Sequence, residues 1–189
     1  MNDIDVFIIA GGKCGSSTLK KTFLSKNMNT IKSHNPNCFK KQFGFDGFFN
    51  TIVKSSRNKI LLLIDSYRTP IERKISSFFH NGENKIPDFL KLTVEEQIKI
   101  FNKSYLYEIE NQHIIYDIYK HLNIPDKKKY DPNHNYFVQK HNNLIIIKLY
   151  YNDIKNWGER LSYLLHTNIT IESDNVSNEK NYYNNIKNF

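Results

Sequence analysis

Three stretches of this chain are apolar almost without a break: "VFIIA" within a strand read at 4–10, "KILLLIDS" at 59–66 and "LIIIKLYY" at 144–151. Each has the length of a strand, and an unbroken apolar run of that length suits a parallel strand covered on both faces. Between them the period changes. Residues 15–26 place Leu19 and Phe23 on one face of a helix, and Thr30 to His34 read as a short strand and its exit. The aromatic stretch 39–57 is helical in part, weakened by Gly44 and Gly47. Pro70 opens a helix running to about His80, and "TVEE" at 93–96 is a capping box that starts helical patterns towards Leu122. "IPDKKKYDPNHN" (124–135) is a loop by its prolines and its Asp/Asn content. A helix is expected around 153–166, a short strand at 167–172 from the alternation in "TNITIE", and a last helix over 175–189. Strands alternating with helices predict an α/β fold with a parallel central sheet flanked by helices. Ligands then belong at the carboxyl ends of the strands.

Length and composition narrow the class. At 189 residues the chain is expected to be a single domain, 1–189, long enough to bury a core. Its 39% hydrophobic and 14% aromatic content is globular. No apolar run is long enough to cross a membrane. The start "MNDIDVFIIAGG" has acids and no basic region, so it reads as a first strand and not as a signal peptide. The formal charge of +8 implies an anionic partner. The dense run "DKKKYD" (126–131) is flanked by acids and a proline and reads as a solvated loop. A nucleic-acid partner is not expected, because no aromatic-basic module is present and arginine is scarce. Cys14 and Cys38 are too few for a disulfide framework, which fits the cytoplasm or another reducing compartment. Cys14 is either a thiol activated by a helix N-terminus or a small residue filling a loop.

The first apolar run breaks into "GGKCGSSTL". A strand, a glycine turn and a helix N-terminus offer backbone N–H groups and the positive end of a dipole to an anion. Gly11, Gly12 and Gly15 let the backbone approach closely, Ser16, Ser17 and Thr18 add hydroxyls, and Lys13 adds a charge. The triphosphatase pattern G-x-x-x-x-G-K-[ST] needs Lys directly after the last glycine, and Ser16 stands there instead. A plain strand-to-helix turn would give part of this pattern.

The order K-x-G-S-x-T-L from Lys13 to Leu19 resembles the 5′-phosphosulfate loop of the sulfotransferases. "RTPIERKISSF" resembles their 3′-phosphate motif, with Arg68 and Ser76 eight positions apart (76 − 68 = 8). Arg68 and Arg73 could alternatively pair with acids, and Ser77 could be the inward hydroxyl. "IKSHNP" (31–36) is similar to the K-[ST]-H-x-P segment of the cytosolic sulfotransferases, whose His is the general base. A histidine suits that task because its ordinary pKa lies near neutrality. Relatives acting on glycans use a Glu after the loop, whereas this chain has only Asp46 and Asp65 between Gly15 and Pro70, which favours His34. "LIIIKLYYNDIKNWGERLSYLLH" (144–166) resembles the family's strand, Tyr-Glu-Asp-Leu and helix segment, with Asn152-Asp153-Ile154 in its place, although a plain strand and helix would give much of the same pattern.

The resemblance implies a three-layer sandwich like that of the P-loop nucleotide kinases, and 3′-phosphoadenosine-5′-phosphosulfate as co-substrate without a metal. It implies His34, Lys13 and Lys32 as catalytic residues. Residues Gly12, Lys13, Cys14, Gly15, Ser16, Ser17, Thr18 and Leu19 would form the loop, and Arg68 and Ser76 would take the 3′-phosphate. The C-terminal Arg-Lys-Gly segment of the cytosolic enzymes is absent. Ser177 and Lys180 could replace it, or the tail could be a solvated helix. The acceptor hydroxyl belongs to a glycan, a tyrosine or a small molecule, chosen by loops at 81–92 and 123–143. The alternatives are a kinase of P-loop type using Asp65 for Mg²⁺, and an inactive nucleotide-binding relative.

Overall fold

The three apolar runs become three neighbouring strands. The computed structural model describes residues 5–34, 47–104, 120, 123–124 and 136–172. One sheet has the order β2-β1-β3-β5-β4, with β1 at Val6–Ile9, β2 at Thr30–Ser33, β3 at Leu61–Tyr67, β4 at Tyr136–His141 and β5 at Leu144–Tyr150. The four strands β2, β1, β3 and β5 are parallel, and β4 closes the edge antiparallel to β5. The helices are α1 (Ser16–Leu24), α2 (Gly47–Asn58), α3 (Pro70–Lys85), α4 (Val94–Ser104) and α5 (Trp157–Leu165). Among the described residues, no helix is long and apolar enough to cross a membrane.

These elements fall into two compact units that divide between Arg68 and Thr69. The first holds the whole sheet with α1, α2 and α5. On one face of that sheet Val6, Ile8, Leu62, Ile64, Ile147 and Leu149 pack with Leu19 and Phe23 of α1 and with Trp157 and Leu161 of α5. Phe7, Ile9, Leu61, Leu63 and Ile146 alternate with them, point to the other face by the pleat, and are buried too. Both faces are therefore covered, as the unbroken apolar runs require. The second unit holds α3, α4 and the short 3₁₀ turn Phe89–Lys91 between them. Its core is the edge-to-face cluster of Phe78 with Phe79, Phe89 and Phe101. Gly82 of α3 lies flat under the Phe89 ring, where a Cβ would come within 2.5 Å of it.

Three expectations need correction. β4 occupies part of the stretch read as a loop at 123–143. It pairs with β5 through a two-residue turn at Asn142 and Asn143, in which Asn142 adopts a φ of 52°. Asparagine tolerates that left-handed backbone better than most residues. The strand expected at 167–172 does not form. Side chains take its backbone groups instead: the Ile169 N–H donates to the Ser162 hydroxyl at 2.8 Å and the Glu172 N–H to the Thr22 hydroxyl at 3.1 Å. The helix after Pro70 runs five residues beyond His80, to Lys85. The helix expected over 175–189 lies outside the described residues.

Candidate functional site

The chain steps from β1 to β2 on one side and then crosses to β3 on the other, so β1 lies at the point where the strand order reverses. In an open parallel sheet the crevice at such a point is where ligands bind. The glycine loop leaves β1 there. Its neighbours at the same carboxyl edge are His34 after β2, Arg68 after β3 and Tyr151 after β5.

The loop is held by two residues with left-handed backbone, Lys13 at φ 64° and Gly15 at φ 78°. At Gly15 space is also limiting, because a Cβ would lie 2.9 Å from the Trp157 ring and 3.3 Å from that of Tyr151. At Gly12 the opposite holds: a Cβ would meet nothing within 4 Å. Cys14 is buried, and its thiol donates to the Gly12 carbonyl at 3.6 Å, which is the loop-filling reading of this residue. Helix α1 then starts at Gly15 with no side-chain cap and no acidic residue in its first turn. Ser16, Thr18 and Leu19 are buried, whereas Ser17 is exposed.

Cations gather at this helix end. The Lys32 ammonium donates to the Ser17 hydroxyl at 2.9 Å. The Arg68 guanidinium, only 6% exposed, donates through Nη1 to the Lys13 carbonyl at 3.3 Å. Its central carbon lies over the Tyr151 ring, 4.4 Å from the centroid. The stretch from Ala10 to Thr18 and the whole of β2 contain no acidic residue. The His34 ring is exposed, and its Nδ1 lies 3.1 Å from the Ala10 carbonyl. A carbonyl only accepts, so Nδ1 carries the proton and Nε2 of the neutral ring carries the lone pair a base needs.

The remaining candidates lie elsewhere. Ser76 is on α3 of the second unit, where it is buried, while Ser77 is half-buried and accepts from Asn81 at 3.1 Å. Ser76 is thus the inward hydroxyl of the two, and its association with Arg68 rests on their spacing in the sequence. Asp65 sits beside Lys148, its register partner on β5, at 3.7 Å. Both belong to the sheet face opposite the one α1 covers. Asp153 is buried in the 3₁₀ turn Tyr151–Asn156, where it binds Arg160 and accepts from Asn156 at 2.7 Å. That carboxylate raises the pKa of the Arg160 guanidinium, whose cation also lies over Tyr136. Cys38, Asp46, Ser177 and Lys180 fall outside the described residues.

Two residues of this edge were not singled out from sequence, Tyr151 and Trp157. Their rings meet edge-to-face at 6.2 Å, and the Trp157 indole N–H donates to the Tyr150 carbonyl at 2.7 Å. A signal for Tyr151 existed, since it directly follows an apolar strand, as Arg68 does. Trp157 had none beyond being the one tryptophan of the chain. No family model, no curated protein and no solved structure matches this chain.

Proposed function

We propose that this chain is a sulfotransferase, moving a sulfuryl group from 3′-phosphoadenosine-5′-phosphosulfate to an acceptor hydroxyl on a fold of the P-loop nucleotide-kinase type. One observation carries the reading. An uncapped helix N-terminus, on a loop free of acids, has the Lys32 ammonium against its first turn, Arg68 tied to its loop and the His34 ring on the loop's first carbonyl. Such a site suits a ligand with several negative charges.

The chemistry divides among these residues as follows. The acceptor oxygen forms a bond to sulfur while the bond from sulfur to the bridging oxygen breaks, leaving the adenosine bisphosphate. Nε2 of His34 takes the acceptor proton. Lys13 and the loop amides, with Gly12, Cys14, Gly15, Ser16, Ser17, Thr18 and Leu19 forming the cradle, stabilise charge on the bridging and phosphate oxygens. Lys32 neutralises the sulfuryl oxygens. Arg68 grips the 3′-phosphate, with which the motif order also associates Ser76, and so holds sulfur in line for attack. A kinase would use Asp65 for its divalent cation, but that carboxylate is beside the Lys148 ammonium.

The test is transfer of sulfate from the donor to a generic phenol, with water as the fallback acceptor. His34→Ala is expected to lower turnover by about 10²–10⁴-fold with nucleotide affinity nearly unchanged, since a base acts on the transition state alone. Turnover equal to that of the intact chain would remove His34 from the mechanism. Phosphoryl transfer from ATP in place of sulfate transfer would overturn the whole reading.

A further inference from the structure

The contact between Arg68 and Tyr151 bears on how the proposed nucleotide site selects its ligand. A guanidinium carries its five N–H groups in one plane, so the orientation of that plane decides where an anion can be gripped by two bonds at once. In this structure an aromatic ring lies against the guanidinium. The central carbon of the Arg68 guanidinium lies over the Tyr151 ring, 4.4 Å from its centroid, a cation–π contact. One in-plane donor is anchored on the Lys13 carbonyl at 3.3 Å. The ring is itself fixed, edge-to-face against Trp157, whose indole is tied to the Tyr150 carbonyl. Burial strengthens the contact, because Arg68 is 6% exposed and water competes little for it.

We propose that Tyr151 is a positioning residue: through its ring it holds the Arg68 guanidinium in the plane that recognises a ribose 3′-phosphate. This rests on the sulfotransferase reading, and it concerns selectivity for the 3′-phosphate over a 3′-hydroxyl. Tyr151 acts through Arg68 and is assigned no contact with the phosphate. The aromatic face is the required feature, and the phenolic hydroxyl is not.

Calorimetry with 3′-phosphoadenosine-5′-phosphate and with adenosine 5′-phosphate gives the selectivity as a ratio of affinities. The intact chain is expected to prefer the bisphosphate by at least about 10-fold. Tyr151→Phe should keep that ratio, while Tyr151→Leu should cut it on the order of 10-fold. Adding Tyr151→Leu to Arg68→Ala should change the ratio no further. Should the leucine variant fail to fold, replacing Tyr151 by phenylalanines with one, two and three ring fluorines keeps the shape while weakening the π face. The ratio should then fall stepwise. A ratio unmoved by leucine or by fluorination, or independent effects of Arg68→Ala and Tyr151→Leu, would overturn the inference while leaving the functional reading intact. A ratio near one in the intact chain would overturn the functional reading, and this inference with it.

Discussion

Three helices of this protein begin in two different ways. In the second unit, α3 and α4 close their own N-termini. The Thr69 hydroxyl accepts from the Glu72 N–H and the Glu72 carboxylate accepts from the Thr69 N–H, at 3.4 and 3.3 Å. Thr93 and Glu96 repeat the arrangement at 3.3 and 2.8 Å. In the first unit, α1 has a glycine at the cap, no carboxylate in its first turn, and a lysine ammonium beside it. A capping box satisfies two of the free N–H groups and complements the dipole from within the chain. Where that device is absent and cations are added, the complement has to come from outside. The contrast between α1 and the other two helices is the physical basis for placing an anion at residues 12–18.

Gly15 is the most constrained residue of the α1 loop. Gly15→Ala puts a Cβ 2.9 Å from Trp157 on a residue at φ 78°, so strain and overlap add. A loss of about 2–4 kcal/mol in denaturant unfolding is expected, together with the loss of nucleotide binding. An alanine variant as stable as the parent would mean that the loop geometry is not held by this glycine.

A second substitution separates stability from binding. Ser17→Asp supplies the acid that α1 lacks, next to Lys32. The folded state should gain about 0.3–1 kcal/mol from the helix dipole, while affinity for the bisphosphate falls on the order of 10-fold or more as like charges meet. Opposite signs in the two measurements are the expected result; the same sign in both would undo the distinction between α1 and its capped counterparts.

The smallest effect is a titration. The Glu96 carboxyl is held below its usual pKa, first by the hydrogen bond from the Thr93 N–H and next by the Thr93 side chain. A depressed folded-state pKa gives a contribution present above the ordinary glutamate range and lost as pH falls through the lowered value. Carboxyl NMR should show Glu96 titrating below a reference glutamate, and Thr93→Ala should bring it back towards the reference. A Glu96 that titrates with the reference in the parent chain would mean that α4 is not capped in solution.

Much of this was legible in the sequence, for reasons that differ by region. The β1, β3 and β5 runs could be read because burial on both faces leaves no polar position to confuse the period. The capping box at Thr93 and the helix start at Pro70 could be read because they are local chemistry, whereas the capping box of Thr69 and Glu72 was not read. β4 was not, since its residues lie at intermediate depth on an edge strand and "YFVQKH" alternates poorly. The short strand at 167–172 was misread because alternation says nothing about whether a partner strand is available. In the site, the loop and the neighbours His34 and Arg68 follow from strand ends. The Lys32–Ser17 and Arg68–Tyr151 contacts are long-range, 15 residues apart for the first pair, and no local pattern encodes them.

The central claim is that the open end of α1 serves a nucleotide bisphosphate. Its most direct test is the thermal stability of the intact chain with 3′-phosphoadenosine-5′-phosphate against ATP and Mg²⁺. At about 100 times its dissociation constant, the bisphosphate is expected to stabilise the fold by roughly 2.7 kcal/mol, with a clear rise in melting temperature and a much smaller one for ATP. Stabilisation by ATP with Mg²⁺ and none by the bisphosphate would contradict the account.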